Sequence, residues 1–398
     1  MNVLIIGGTG VLSSAVTAEA LRQGIAVTMI NRGKRRIPDG VELIKSDKDD
    51  LVYIAKQLEG RTFDAVMDYL CYTDSQTEKS VKFYKKYTKQ YFYISSCAVY
   101  NTELLAGKIA EEDSPKVLPI WKYSVDKWAS EQKIAKLFEG SDVKYTIIRP
   151  CVTYGDTRIP YGISPLYGYH WTLAARILAG KPIITWNEGR NRCNMTRVED
   201  FAVGVVGLIG NEKAYGEAFN VCGDEAPTFR EVLDVMSEYL DKEVITVDVS
   251  SEFYAKEVPS RAGEILGGRS IDTINSNAKL KAAVPAFKQT YSLKEGVFKT
   301  LDAYKAQGYQ HGIDWSFDGE TDRVIRKWCD DNKLPHNQYN LDYVDYFQEG
   351  KKNKFIYMAV KKKNNPIIKL INLFMRMRKS IYVRLERILL KNGTKLVK

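Results

Sequence analysis

Tyr123 and Lys127 stand four residues apart in a stretch, 122–137, whose pattern predicts a helix, so both side chains point from one face. A lysine ammonium beside a phenol stabilises phenolate and brings its pKa toward working pH. Ser96 closes the aromatic run 91–94, which predicts a buried strand. A hydroxyl at the end of such a strand can bind a substrate oxygen and turn it toward the phenol. Gly7-Gly8-Thr9-Gly10 follows the apolar run 3–6 directly. A glycine-rich turn between a first strand and a helix lets backbone approach a pyrophosphate, and the helix N-terminus stabilises its charge. The three segments, in this order, predict proton transfer through Tyr123 coupled to hydride transfer with a nicotinamide dinucleotide. Order carries the reading, because Tyr-x-x-x-Lys alone is common. A second match, Tyr357 with Lys361, has no serine-bearing strand before it.

The elements that must position these groups alternate. Short apolar runs at 3–6, 26–30, 65–67, 91–94 and 146–148 predict strands, and 14–23, 51–58, 75–87 and 122–137 predict helices. Alternation of this kind predicts an α/β fold: a doubly wound parallel Rossmann sheet with helices on both faces and the dinucleotide at the strands' carboxyl ends. After Arg149-Pro150 the pattern loosens into a loop, 151–170, rich in Gly, Pro and Tyr. Helices are predicted at 171–178, 198–209, 228–240 and 293–307, with short strands at 183–184 and 218–222. The expected organisation is a dinucleotide-binding domain over 1–155, to which 190–220 returns, and a smaller α+β substrate domain over 156–310. An extension covers 311–365, and a basic helix covers 366–398.

The cofactor turn departs from the usual pattern at two places. The third glycine, expected at position 13, is Ser13. At the end of the second strand Asn31 and Arg32 stand where an acid would bind the adenosine ribose and repel a 2′-phosphate. This favours NADP over NAD. Asp47, after the run 41–44, is placed to accept from the adenine amino group. Val11 and Leu12 open the helix behind the turn.

Composition limits the alternatives. The 398 residues leave room for two or three domains. Strand-like sequence from Asn2 predicts no leader peptide. Six scattered cysteines without a CxxC pair predict free thiols in a reducing, cytoplasmic compartment, and no metal site is expected from three distant histidines. The net charge of +10 is concentrated at the end: residues 351–398 hold 15 Lys/Arg against one acid, Glu386, so the first 350 residues are net −4. Nucleic-acid binding by the body is therefore not expected. From Pro366 the apolar residues Ile367, Phe374, Met377, Ile381, Leu385 and Ile388 recur at helical spacing, with cations mainly opposite. Such a basic amphipathic helix suits a peripheral contact with an anionic membrane surface, or packing on the body or a second copy in a homodimer.

These residues resemble the extended short-chain dehydrogenase/reductase family, the NAD(P)-dependent epimerases and dehydratases of nucleotide sugars. Further matches are Ser95-Ser96-Cys97-Ala98-Val99-Tyr100, Ile148-Arg149-Pro150, Thr196-Arg197-Val198-Glu199-Asp200 and Phe219-Asn220-Val221-Cys222-Gly223. The resemblance spans about 1–305. It implies that Ser96 is the catalytic serine, Tyr123 the proton donor and acceptor, and Lys127 its partner. It also implies that Leu70 and Cys71 lie near the pyrophosphate and ribose, and that Pro150 flanks the nicotinamide. The family's dehydratases carry Asp-Glu after the catalytic hydroxyl residue; Cys97 and Ala98 here argue against dehydration. Asn31-Arg32-Gly33 and Asp68 look more like an atypical branch with chloroplast stem-loop-binding-protein-like members, some of which bind RNA. The expected activity is epimerisation of a nucleotide sugar through a transient keto form. A net reductase or dehydrogenase is the near alternative, and a non-catalytic or RNA-binding member the distant one. For the substrate, Arg192, Asn194, Arg261 and Arg269 are candidates to grip a diphosphate. Tyr154, Tyr161, Tyr167 and Trp171 are candidate cleft residues.

Overall fold

The computed structural model describes residues 1–347, 350–363, 365 and 366. Apart from Pro366, the basic segment 366–398 lies outside the described residues. The first half of the chain runs through β1 (Asn2–Ile6), α1 (Val11–Arg22), β2 (Ala26–Asn31), β3 (Val41–Lys45), α2 (Leu51–Gln57), β4 (Phe63–Asp68), α3 (Asp74–Tyr84), β5 (Thr88–Ile94), α4 (Thr102–Leu105), α5 (Lys122–Phe138) and β6 (Lys144–Pro150). It continues through β7 (Val152–Tyr154), α6 (Trp171–Leu178), β8 (Ile183–Thr185), β9 (Met195–Arg197), α7 (Val198–Val206), β10 (Glu217–Val221), α8 (Phe229–Leu240), β11 (Thr246–Asp248), α9 (Ser251–Glu257), α10 (Ala262–Glu264), α11 (Ala278–Ala283), α12 (Leu293–Ala306), α13 (Trp315–Asp331) and α14 (Gly350–Lys361).

Seven strands form one sheet in the order β10-β6-β5-β4-β1-β2-β3, and every neighbouring pair is parallel. Strands buried on both faces need unbroken apolar runs, which is why Val3, Leu4 and Ile5 are all fully buried. One face packs on α1, α7 and α11 around Val16, Phe201 and Leu280. The other packs on α2, α3 and α5 around Ile54, Val81 and Ile134. The chain leaves β3 at one edge and returns as β4 beyond β1, so the carboxyl ends of β1 and β4 flank the switch point where such sheets bind ligands. Two small parallel pairs, β7 with β9 and β8 with β11, lie outside this sheet. Around them is a second apolar core, built from α6, α8, α12 and α13 among others. Among the described residues no helix is long and apolar enough to cross a membrane.

The polar composition after His311 conceals a buried helix. In α13, Asp318 and Asp322 are wholly buried, as are Arg176 of α6 and Lys181. Arg176 reaches Asp318 at 2.5 Å and Asp322 at 2.8 Å, while Lys181 reaches them at 3.1 and 2.5 Å. Tyr346 and Tyr357 complete the set by donating to Asp318 and Asp322 at 3.1 and 2.5 Å. Two cations and two anions therefore balance in the interior, a pairing between residues some 140 positions apart that helical periodicity does not reveal. The second Tyr-x-x-x-Lys match is thus structural: Tyr357 serves this cluster and Lys361 holds the Leu341 carbonyl and Asp342.

Removing one member leaves an unbalanced buried charge. Asp322→Ala is expected to lower the unfolding free energy by about 3–5 kcal/mol. Breaking the exposed Lys294–Glu238 pair is expected to cost about 1 kcal/mol or less. Urea denaturation of the two variants checks the difference, and equal losses would refute the account.

Candidate active site

The glycine turn is shaped by backbone conformations that a side chain resists. Gly7 and Gly8 have φ of +106° and +75°. A Cβ on Gly8 would lie 2.3 Å from the Met29 Cε and push that side chain aside, in addition to the strain of the positive φ. Ser13, at the expected third glycine, is buried, and its hydroxyl accepts from the Gly10 N–H at 2.9 Å. The substitution thus converts a packing glycine into a cap for α1. The first turn of α1 carries no acidic residue, and Gly10, Val11 and Leu12 line the cleft above it. A helix N-terminus open in this way suits a pyrophosphate.

Asn31 turns inward rather than toward a ribose. Its amide donates to the Gly7 carbonyl and to Thr9 Oγ1, the latter at 3.0 Å, while its oxygen accepts from Gly33 N at 2.9 Å. It braces the glycine turn. Arg35 donates to the Thr9 carbonyl at 2.6 Å and stacks on Tyr167, 4.7 Å from the ring centroid. Arg32, Lys34 and Arg35 all line this end of the cleft. Asp47 lines it too, with one oxygen held by the Asp49 N–H. Leu70 reaches the lining, but Cys71 does not: its thiol donates to Asp68 at 3.1 Å. What Cys71 offers the site is its carbonyl.

That carbonyl accepts from Lys127 Nζ at 2.9 Å, and the Ile94 carbonyl accepts at 2.7 Å. Lys127 is 3% exposed, and its ammonium lies 5.8 Å from the Tyr123 ring centroid. It therefore acts on Tyr123 through charge across a short gap. Burial pulls the Lys127 pKa down to about 8, against the opposing pull of Asp68 and Glu131. Tyr123 lies beside Ser96, and both line the cleft. Tyr123 is 36% exposed and forms part of the cleft wall. Burial raises its pKa, and the neighbouring Ser96 hydroxyl and the charges of Arg158 and Arg269 oppose the rise.

Beneath the trio runs a buried polar network. Arg149 meets Glu131 with two bonds, at 3.0 and 2.6 Å, and donates to Tyr100 at 2.9 Å. Ser95 donates to Glu131 at 2.5 Å, and Tyr100 donates to Asn220 at 2.6 Å. Residues of β6, α5 and β10, with those following β5, are thereby joined at the sheet's carboxyl end.

The cleft measures about 1440 Å³, large enough for a dinucleotide and a second ligand beside it. Pro150 lines it, as does Arg269 among the substrate candidates; Tyr154, Arg192, Asn194 and Arg261 do not. Tyr154 is 1% exposed and packs against Gly296 and Arg197. Arg192 lies at the surface, bonded to the Ala226 carbonyl. Asn194 is buried between Gly223 and Asn275. Arg261 holds the Ser164 carbonyl and lies over Phe317. Tyr161 and Trp171 are core residues, whereas Tyr167 lines the cleft. Each misplaced residue satisfies a long-range partner that sequence spacing does not show. Arg158 was missed by the sequence reading. It lines the cleft and shares the substrate end with Arg269. Its signal was its position, a cation in the Gly/Pro/Tyr-rich loop after β7. Trp121, next to Lys122 and Tyr123, is clasped by Gly263, where a Cβ would lie 2.6 Å from the indole. The far wall of the cleft is thus seated on the residues that lead into Tyr123.

The depressed Lys127 pKa sets a pH dependence. The folded value is about 8 and the unfolded value about 10.4, so the unfolded chain binds more protons between them. Burying the charge costs stability below about 8, and the cost disappears as pH rises through that window. Wild type is expected to gain stability relative to Lys127→Met between these limits. Denaturation of both proteins across the window is the measurement; a constant difference would contradict the assignment.

Comparison with known proteins agrees with this geometry. The model of the NAD dependent epimerase/dehydratase family matches residues 3–222. A chloroplast stem-loop binding protein of 41 kDa (form b) from Arabidopsis thaliana is 27% identical over 57% of this chain and 60% of its own length. A UDP-glucose 4-epimerase from Lactobacillus helveticus is 25% identical over 37% of this chain and 51% of its own. The chain thus spans only about half to three-fifths of these curated relatives. Among solved structures, UDP-glucuronic acid 4-epimerase from Bacillus cereus, in complex with UDP-glucuronic acid and NAD, superposes with a TM-score of 0.61. It is 17% identical, over 77% of this chain and all of that one, a likeness of fold. With its parallel sheet, glycine turn and family match over more than half its length, the chain belongs to the NAD-dependent epimerase/dehydratase family.

Proposed function

We propose that this protein is an NAD(P)-dependent epimerase of a nucleotide sugar. The observation that carries the reading is the convergence of Ser96, Tyr123 and Lys127 on one wall of a cleft that also holds the glycine turn. Gly10, Val11 and Leu12 would hold the pyrophosphate, and Pro150 would flank the nicotinamide. The bound cofactor supplies the hydride acceptor and donor. Ser96 orients the sugar hydroxyl. Tyr123 takes its proton as the carbon becomes a ketone, and returns it when the hydroxyl re-forms on the opposite face. Lys127 keeps the phenolate accessible through its charge. Arg158 and Arg269 bind the diphosphate at the far end. The complete trio and the net acidic first 350 residues speak for this reading over RNA binding.

We further propose a preference for NADP. Arg32, Lys34 and Arg35 line the adenosine end, and the position that would repel a 2′-phosphate is Asn31, already committed to the glycine turn. The same cations favour the second reading, a reductase that consumes NADPH. The two differ in stoichiometry: an epimerase works with catalytic cofactor and leaves the reduced-nicotinamide absorbance unchanged at the end of turnover.

Tyr123→Phe is expected to lose about 10²–10⁴-fold in kcat on UDP-sugar substrates while still binding cofactor. Unchanged turnover would remove the catalytic assignment, and net nicotinamide oxidation would select the reductase. In titrations by intrinsic fluorescence, wild type is expected to bind NADP more tightly than NAD, and Arg32→Ala with Arg35→Ala to lose about tenfold in NADP affinity alone. Equal loss for both cofactors would discard the 2′-phosphate role.

A further inference from the structure

Cys97, Cys151, Cys193 and Cys222, far apart in sequence, are gathered at the cleft, close enough for each to feel the charge of another. All are free thiols, and among the described residues no group of His, Cys, Asp or Glu is arranged to hold a metal. Two of them are set together by the sheet itself. Pro150 of β6 lies opposite Val221 of β10 in parallel register, so Cys151 and Cys222 follow the last registered pair on adjacent strands. Adjacent strands are about 4.8 Å apart. That falls within the roughly 4.4–6.8 Å of Cα separation that a disulfide spans. Cys222 Sγ donates to the Asn275 carbonyl at 3.4 Å, and Cys151 stands next to it at the end of the neighbouring strand.

Their environments differ in a useful way. Cys151 lines the cleft, where a small solute can reach it, and its sulfur lies 3.3 Å from Thr196 Oγ1. Cys222 is fully buried behind it. Burial pushes the Cys151 thiol up, but the neighbouring Cys222 and Thr196 side chains and the Arg269 charge outweigh this and hold it below the ordinary thiol value. The proximity of Cys151 and burial push Cys222 above it. Cys97 and Cys193 are turned to carbonyls, of Arg149 at 3.2 Å and of Asn194 at 3.5 Å.

We propose that Cys151 and Cys222 form a peroxide-responsive pair, Cys151 oxidised from the cleft and Cys222 resolving it to a disulfide. The Cys151 thiolate attacks hydrogen peroxide; an S–O bond forms, the O–O bond breaks, and the departing hydroxide takes up a proton as water. The Cys222 sulfur then attacks the sulfenic sulfur of Cys151. The S–S bond forms, the S–O bond breaks, and the Cys222 proton leaves with the hydroxyl as a second water. Two thiols are oxidised and one peroxide is reduced. The new bond draws Cys151 toward β10, and with it the cleft wall formed by Pro150 and Thr153. Loss of cofactor binding follows, a consequence that rests on the function proposed above; the cross-link itself does not.

The test uses the full-length protein, first reduced and then treated with a small excess of hydrogen peroxide. Trypsin places the four cysteines on separate peptides. The expected product links 145–158 to 214–230 and is released by dithiothreitol. Cys222→Ser is expected to give no link and instead to trap Cys151 as a sulfenic acid that a dimedone probe labels. NADP affinity of oxidised wild type, read by fluorescence, is expected to fall at least about tenfold and to return on reduction. Absence of the 145–158 to 214–230 link, or a link through Cys97 or Cys193 in its place, would overturn the proposal. If the link forms but cofactor binding was absent before oxidation, the thiol pair stands and the functional reading fails.

Discussion

The candidate site depends on the buried pair between Arg149 and Glu131. Their side chains are only 4% and 2% exposed, and two parallel bonds join them. Such a pair gains little over an apolar substitute, since desolvation offsets most of the attraction. Its value is geometric. Glu131 lies one helical turn beyond Lys127, so fixing Glu131 against β6 fixes the rotation and height of α5 over the sheet. Tyr123 then faces the cleft and Lys127 the ends of β4 and β5. The same carboxylate takes the Ser95 hydroxyl, which locates the neighbouring Ser96. Through Tyr100 and Asn220 the restraint reaches β10, the last strand to join the sheet.

A second constraint is that Lys127 must stay charged in a dry place. Two carbonyls, of Cys71 and Ile94, accept from it, and three aromatic rings, of Tyr72, Tyr93 and Tyr123, present their faces within 5.8 Å. Those acceptors lie at the ends of β5 and just beyond β4, so the lysine reports the correct assembly of sheet and helix before any ligand arrives. The cradle follows a similar economy. Asn31 and Ser13 are the two departures from the usual glycine turn, and both hold the turn's own backbone in place. Arg32 and Lys34 face the cleft there beside Asp47.

Much of the fold was legible in the sequence because a parallel sheet demands local apolar runs. β1, β2, β5 and β6 each contain the run that signalled them, and the helices between them carry one buried face. Helix α13 was not legible, since Arg176, Lys181, Asp318 and Asp322 read as surface residues until they are paired. The substrate side was legible only in outline. Arg192, Asn194 and Arg261 were sensible candidates by type, yet each is engaged by a carbonyl brought from elsewhere in the chain. For Arg158 the loop composition marks a cleft, but only the tertiary structure shows that this arginine faces it.

Residue types and their order were enough to determine the class of chemistry. A phenol and an ammonium one helical turn apart, a serine closing a strand and a glycine turn after the first strand are local patterns, set by backbone periodicity and turn geometry. Tertiary structure alone decided which cations reach the cleft, that the Cys71 carbonyl and not its thiol serves the site, and that Cys151 meets Cys222. Those outcomes depend on strand register and on pairings across tens to hundreds of residues. Burial creates the partners there, and no spacing in the chain encodes them.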